Sequence, residues 1–208
     1  MRINTVRLRA MLGWLGMLLP WIVVLLIGYI PASISATWYT NASTVFMIIL
    51  GSASILLMCY KGYDLLDDLT LTLAGVAGLG VCLFPTYISG EVQNVGTFMI
   101  PKDISSNIHN ICAFVFFGLL SYNSLFLFTK GDGHPTKKKK IRNIIYIVSG
   151  IGMMASFLLL LLPYFHIQVW LVETIALSFF GISFLTKADI YPWLFCDTAY
   201  TDEEVKYD

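Results

Sequence analysis

Charge is scarce in this sequence. Thirteen Lys and Arg and thirteen Asp and Glu make up 12% of 208 residues, and the formal net charge is zero. A water-soluble domain is roughly a quarter charged, so this chain could not cover a soluble surface. Zero net charge also removes the general attraction of a basic protein for nucleic acid. Histidine and cysteine are sparse, at three and four residues. No HExxH or HxxxH occurs, and no cysteines are paired at zinc-ligand spacing. Four scattered cysteines define no disulfide scaffold. Internal repeats, zippers and nucleotide-binding fingerprints are missing as well. What is abundant is apolar: 57% hydrophobic residues and a mean hydropathy of +0.75, gathered into long uncharged runs. That is the pattern of helices in lipid.

Six runs are expected to cross the membrane: approximately Ala10–Ile30, Ala42–Tyr60, Leu69–Phe84, Asn107–Phe128, Ile141–Leu162 and Ile167–Thr186. A crossing needs about 20 residues at 1.5 Å each. The third run has 16 residues and reaches that length only if its helix starts near Asp67 and Asp68, as caps at its N-terminus. Polar backbone cannot face hydrocarbon, and these runs are too long and too few for a barrel, so helices are the solution. The first run, about 21 residues, exceeds the usual core of a signal peptide and is expected to be retained.

Cations set the orientation. With the N-terminus in the cytoplasm, Arg2, Arg7, Arg9, Lys61, Lys130, Lys137, Lys138, Lys139, Lys140, Arg142, Lys187 and Lys206 lie inside, twelve of the thirteen; only Lys102 falls outside. Removing or adding a span would spoil that alternation. The expected fold class is therefore all-α: a polytopic transmembrane bundle of six helices over residues 1–187, both termini cytoplasmic. An interfacial segment and acidic tail, residues 188–208, follow. The run Lys137–Lys140 beside a membrane helix is expected to meet anionic lipid headgroups, not nucleic acid. Small residues such as Gly13, Gly16, Gly75, Gly78 and Gly152 suit close helix packing.

Only one acid, Glu173, falls inside the spans, roughly 9 Å below the outer end of the last helix. An intramembrane carboxylate faces the bundle, a partner or an aqueous cavity. His166 precedes it by two turns, and His109 sits near the outer start of the fourth helix. With Ser35 and Asp103 these residues form a candidate outer cavity. Any catalytic role would fall to His109, His166 and Glu173. No metal or other cofactor is expected; zinc on those same three side chains is the alternative. A second polar group lies on the inner face, where Lys61, Asp64, Asp67 and Asp68 could cap the third helix, pair with one another or hold a basic partner.

The segments Ser33-Ile-Ser-Ala-Thr-Trp-Tyr-Thr40, Tyr60-Lys-Gly-Tyr-Asp64 and Gly80-Val-Cys-Leu-Phe-Pro-Thr86, with His109, Ala113 and Phe116-Phe117, resemble motifs of uncharacterised six-helix bacterial integral membrane proteins. The resemblance covers most of the chain and implies a bacterial cytoplasmic membrane protein; it implies no chemistry. A more distant likeness is to membrane hydrolases of the alkaline ceramidase and adiponectin-receptor type. Those have a seven-helix core and a three-histidine zinc site, with two histidines four residues apart on a late helix. Here His166 and Glu173 are seven apart and His134 is expected on the cytoplasmic side, so that motif is not matched.

Three functions are compatible with this reading. The favoured one is non-catalytic: binding of lipid or a hydrophobic small molecule, or support of a membrane-protein partner. The second is a lipid hydrolase with an outer-leaflet polar site. The third is a small proton-coupled carrier using Glu173.

Overall fold

The computed structural model describes residues 5–62, 64–131, 136–160 and 168–190. Six α-helices carry the fold: α1 (Thr5–Ile27), α2 (Ser43–Met58), α3 (Leu65–Leu83), α4 (Lys102–Tyr122), α5 (Lys137–Leu159) and α6 (Val169–Lys187). A short 3-10 helix, Ser35–Tyr39, lies between α1 and α2, and a π-turn, Asn123–Leu127, extends α4. The α3–α4 connection holds a small antiparallel ladder, β1 (Asn94–Val95) with β2 (Ile100–Pro101). Each helix packs on its neighbours in sequence, and α6 returns to α1, so the six close into a ring.

Five helices, α4 counted with its π-turn, are long and apolar enough to cross a membrane. The sixth, α2, has 16 residues and is about 24 Å long. A crossing there requires the bilayer to thin toward its ends.

Local chemistry moves several expected boundaries. The first helix stops at Ile27, not Ile30, because Gly28 adopts a left-handed conformation (φ 80°) while donating to Val24 O, a glycine stop. The third starts at Leu65, not Leu69. Its cap is Asp64, whose carboxylate accepts from Asp67 N at 3.0 Å, so the cap lies before the two acids expected to provide it. The fourth begins at Lys102, placing Ser105 and Ser106 in the helix and not in the outer loop. The run Lys137–Lys140 is the first turn of α5, with Thr136 as its cap, and not part of the preceding loop. The sixth closes in a Schellman arrangement: Asp189 takes φ 56°, and Asp189 N and Ile190 N donate to Thr186 O and Leu185 O.

With no hydrophobic force between helices in lipid, close packing must hold them together. A Cβ at Gly181 would stand 2.8 Å from Gly13 O, so α1 and α6 meet backbone to backbone. Gly16 gives its space to the Phe180 ring, and Gly75 lies directly on Ser54 O of α2. Large side chains fill the rest of the ring. Phe180 lies tilted against Phe184 (4.7 Å), which meets Phe128 (5.0 Å) and Tyr60 (6.4 Å), and Phe128 meets Tyr146 (5.4 Å). Most exposed large hydrophobics, including Trp14, Leu18, Trp21 and Leu25 on α1, lie outside the ring, where lipid would cover them.

Candidate functional site

Glu173 belongs to α6, and its carboxylate crosses to the start of the 3-10 helix. Ile34 N donates to Oε2 at 2.5 Å, and Ser35 Oγ donates to Oε1 at 3.4 Å. An acid from the last helix thus fixes the segment after the first and satisfies an amide with no intrahelical partner. Ser33 adds a second cap, its hydroxyl accepting from Ala36 N at 2.9 Å.

Behind this cap lies a small cavity of about 30 Å³, room for one or two waters or a few methylenes. Its wall comes from five helices: Leu19 of α1, Phe46 and Leu50 of α2, Val81 of α3, Ala113, Phe116 and Phe117 of α4, and Leu177 of α6. Only Glu173 and Ser35 give it polar side chains. Beyond Leu177, the buried face of α6 carries Phe180 and Phe184, both fully buried.

The other expected outer residues do not join Glu173. Nδ1–H of His109 donates to Phe84 O at 2.7 Å, and His109 is not on the cavity wall. Asp103 is exposed in the first turn of α4. His166 lies outside the described residues. Among those described, no three His, Cys, Asp or Glu side chains form a group that could hold a metal, and Cys59, Cys82 and Cys112 are free thiols.

His109 belongs instead to a set of donors at the C-terminal end of α3. Trp38 Nε1 donates to Cys82 O (3.2 Å), Ser105 Oγ to Pro85 O (2.9 Å) and Tyr39 OH to Thr86 O (2.7 Å). Two of the four side chains thereby satisfy terminal carbonyls of α3 at Cys82 and Phe84, and two hold the segment that follows it. Residues of the first and third resembling segments meet in this arrangement.

At the N-terminal end of α3, Asp64 does not pair with Lys61, which is exposed. Lys130 Nζ reaches Asp64 Oδ2 at 2.8 Å and Asp67 Oδ1 at 2.7 Å, locking the end of α4 to the start of α3. Asp68 accepts from Gly62 N at 2.7 Å. Hydrogen bonding from Lys130 holds the Asp64 carboxyl below its ordinary value of 3.8. Burial opposes the charge of Lys130, but its bonds to Asp64 and Asp67 outweigh that and raise it above 10.5. The acid's contribution to stability is complete above its unfolded value and is lost as pH falls through the lowered folded one. The lysine's is complete below 10.5 and is lost as pH rises through the raised one. Thermal unfolding across pH is expected to show a plateau between these limits for this lock. The Lys130→Met variant should lose the part of that profile that depends on Asp64.

Three of the cations assigned from sequence to the cytoplasmic side are buried: Arg142 (2% exposed), Lys187 (3%) and Arg9 (7%). Arg9 Nε donates to Tyr60 OH at 2.9 Å and its Nη1 to Lys187 O at 3.3 Å. Lys187 Nζ stands 5.6 Å over the Phe128 ring. Arg9 and Lys187 therefore turn into the bundle and onto aromatic faces. The available sequence signal was Arg142 and Tyr146, one turn apart on the buried face of α5.

No protein-family model, curated protein or solved structure matches this chain.

Proposed function

We propose that this protein is a six-crossing membrane protein, both termini cytoplasmic, that binds a slender amphiphile without catalysing its reaction. The ligand would be a lipid or hydrophobic molecule whose head donates hydrogen bonds, such as a long-chain primary amine or alcohol. One observation carries the reading: an apolar cavity inside the helix ring has a single carboxylate at its polar end. In its ionised form the Glu173 side chain accepts and does not donate, so it then complements a cationic or hydroxyl head and repels an anionic one. The cavity's size suits part of an alkyl chain, far below the ~300 Å³ of a typical drug-sized pocket. Phe180 and Phe184, buried against each other further along α6, would hinder passage beyond the cavity, which sets this reading above the carrier. Separation of His109 from Glu173 sets it above the hydrolase. Lys137 and Lys140, exposed at the start of α5, would meet anionic headgroups of the inner leaflet.

Equilibrium binding in detergent tests the proposal, with dodecylamine and dodecanoate as probes. Dodecylamine is expected to bind the wild type at least tenfold more tightly than dodecanoate, the usual worth of one hydrogen bond to a charged group. Glu173→Gln should erase that preference. Ala113→Phe, which fills the cavity without touching Glu173, should abolish saturable binding of both. Equal binding of both probes by all three proteins would overturn the proposal.

A further inference from the structure

The donors at the polar end of the Glu173 cavity are already committed. Ile34 N donates to Glu173 Oε2 at 2.5 Å, and the Ser35 hydroxyl sends its one proton to Oε1 at 3.4 Å. A carboxylate has about four lone-pair sites and a hydroxyl two, so Glu173 and Ser35 both keep lone pairs after these bonds. The carbonyl of Ile34 is itself taken, by Thr37 N at 3.1 Å and Thr37 Oγ1 at 2.5 Å. Among the described residues these partners of Glu173 are neutral, and the rest of the cavity wall is apolar. An ionised carboxylate in such surroundings is costly unless a cation joins it.

Heads carried on the same alkyl chain fare differently there. A primary ammonium has three N–H donors, a positive charge and no lone pair. It can give two N–H groups to Glu173 and one to Ser35 Oγ. A hydroxyl donates once and brings lone pairs that meet no free donor, and burying those unmatched is costly. A trimethylammonium keeps the charge but donates nothing, and its three methyls add bulk. The cavity, about 30 Å³, holds one or two water-sized groups. That is enough for an ammonium and its first methylene and too little for the methylated head.

Within the binding role proposed above, we infer that the cavity selects a primary ammonium over the hydroxyl and the quaternary ammonium of the same chain. Ser35 is the specificity-determining residue beside Glu173. Its hydroxyl holds one carboxylate oxygen and accepts one N–H of the head. The ligand class is thereby a long-chain primary amine.

Equilibrium binding in one detergent at about pH 8, where an alkylamine is protonated, tests this with dodecylamine, dodecanol and dodecyltrimethylammonium. The wild type is expected to bind dodecylamine at least tenfold more tightly than either of the others, the worth of one hydrogen bond to a charged group. Ser35→Ala should weaken dodecylamine about tenfold and change dodecanol little. Ser35→Thr, which keeps the hydroxyl, should retain the preference. If Glu173→Gln still removes dodecylamine binding but dodecanol or dodecyltrimethylammonium binds the wild type as tightly, the selection is overturned while the binding role stands. An amine-to-alcohol ratio unmoved by Ser35→Ala overturns the assignment of Ser35. Absence of saturable dodecylamine binding to folded wild type overturns both. Should Ser35→Ala fail to fold, the wild-type comparison of the three probes decides alone.

Discussion

Replacing Lys130 by methionine is expected to lower the unfolding temperature by about 6 °C, the equivalent of about 2 kcal/mol. Asp67 has only 4% of its side chain exposed, and Lys130 is one of its partners at 2.7 Å. Breaking a fully buried pair from one side costs roughly 3–5 kcal/mol. The smaller figure applies because Lys130 is about a third exposed and water screens its side of the pair. The loss should belong to Asp67 and not to Asp64, whose carboxylate is open to solvent. Asp64→Asn keeps the helix cap and is expected to leave the unfolding temperature nearly unchanged. Adding Asp67→Asn to Lys130→Met should recover most of the loss, since removing both partners leaves no stranded charge. Thermal unfolding of the four proteins in one detergent checks this. Equal effects from Lys130→Met and Asp64→Asn would mean that the buried arm carries nothing.

The second large effect is expected at Gly75. A Cβ there would collide with Ser54 O, a backbone atom that cannot rotate away, and with the Met58 side chain. Gly75→Leu must therefore push α2 from α3 along one of the closest seams of the ring. Overpacking of this kind costs roughly 1–3 kcal/mol, occasionally more. A value of about 3 kcal/mol is expected because the obstacle is backbone. The Glu173 cavity should be lost with it, because Phe46 and Leu50 of α2 and Val81 of α3 form part of its wall. Gly51 provides the contrast: nothing lies within 4 Å of its missing Cβ, so Gly51→Leu points into open space and should change stability little. Size-exclusion profiles and unfolding of the two variants check the pair. Comparable behaviour at both positions would contradict the ring packing.

Much of the fold is legible in the sequence because lipid imposes one rule, long uncharged runs for helices. The apolar stretches mark where helices lie. Their ends depend on single residues: Gly28 stops α1 early, and Asp64 starts α3 before the apolar run begins. The π-turn at Asn123 leaves no mark in a hydropathy pattern, since one extra residue in a turn changes no composition. Burial of Arg9, Arg142 and Lys187 was hidden for a different reason. Cations at inner helix ends satisfy the positive-inside pattern whether they face headgroups or the bundle, and only the position of Tyr60, Phe128 and Tyr146 in space separates the two. Glu173 stood out as a lone intramembrane acid, but its partners Ile34 and Ser35 are 139 and 138 residues away and no local spacing connects them. His109 stood out by residue type. Its hydrogen bond to Phe84 O ties the outer end of α3 and takes it from the site where its chemistry would have mattered.

The most direct test is a structure of the purified protein in lipid nanodiscs with dodecylamine added. The expected result is a closed ring, α6 against α1, with elongated density between Leu50, Phe117 and Leu177 that ends on the Glu173 carboxylate. A ring whose cavity is filled by its own side chains, with dodecylamine found only among the surrounding lipids, would contradict the proposed binding role.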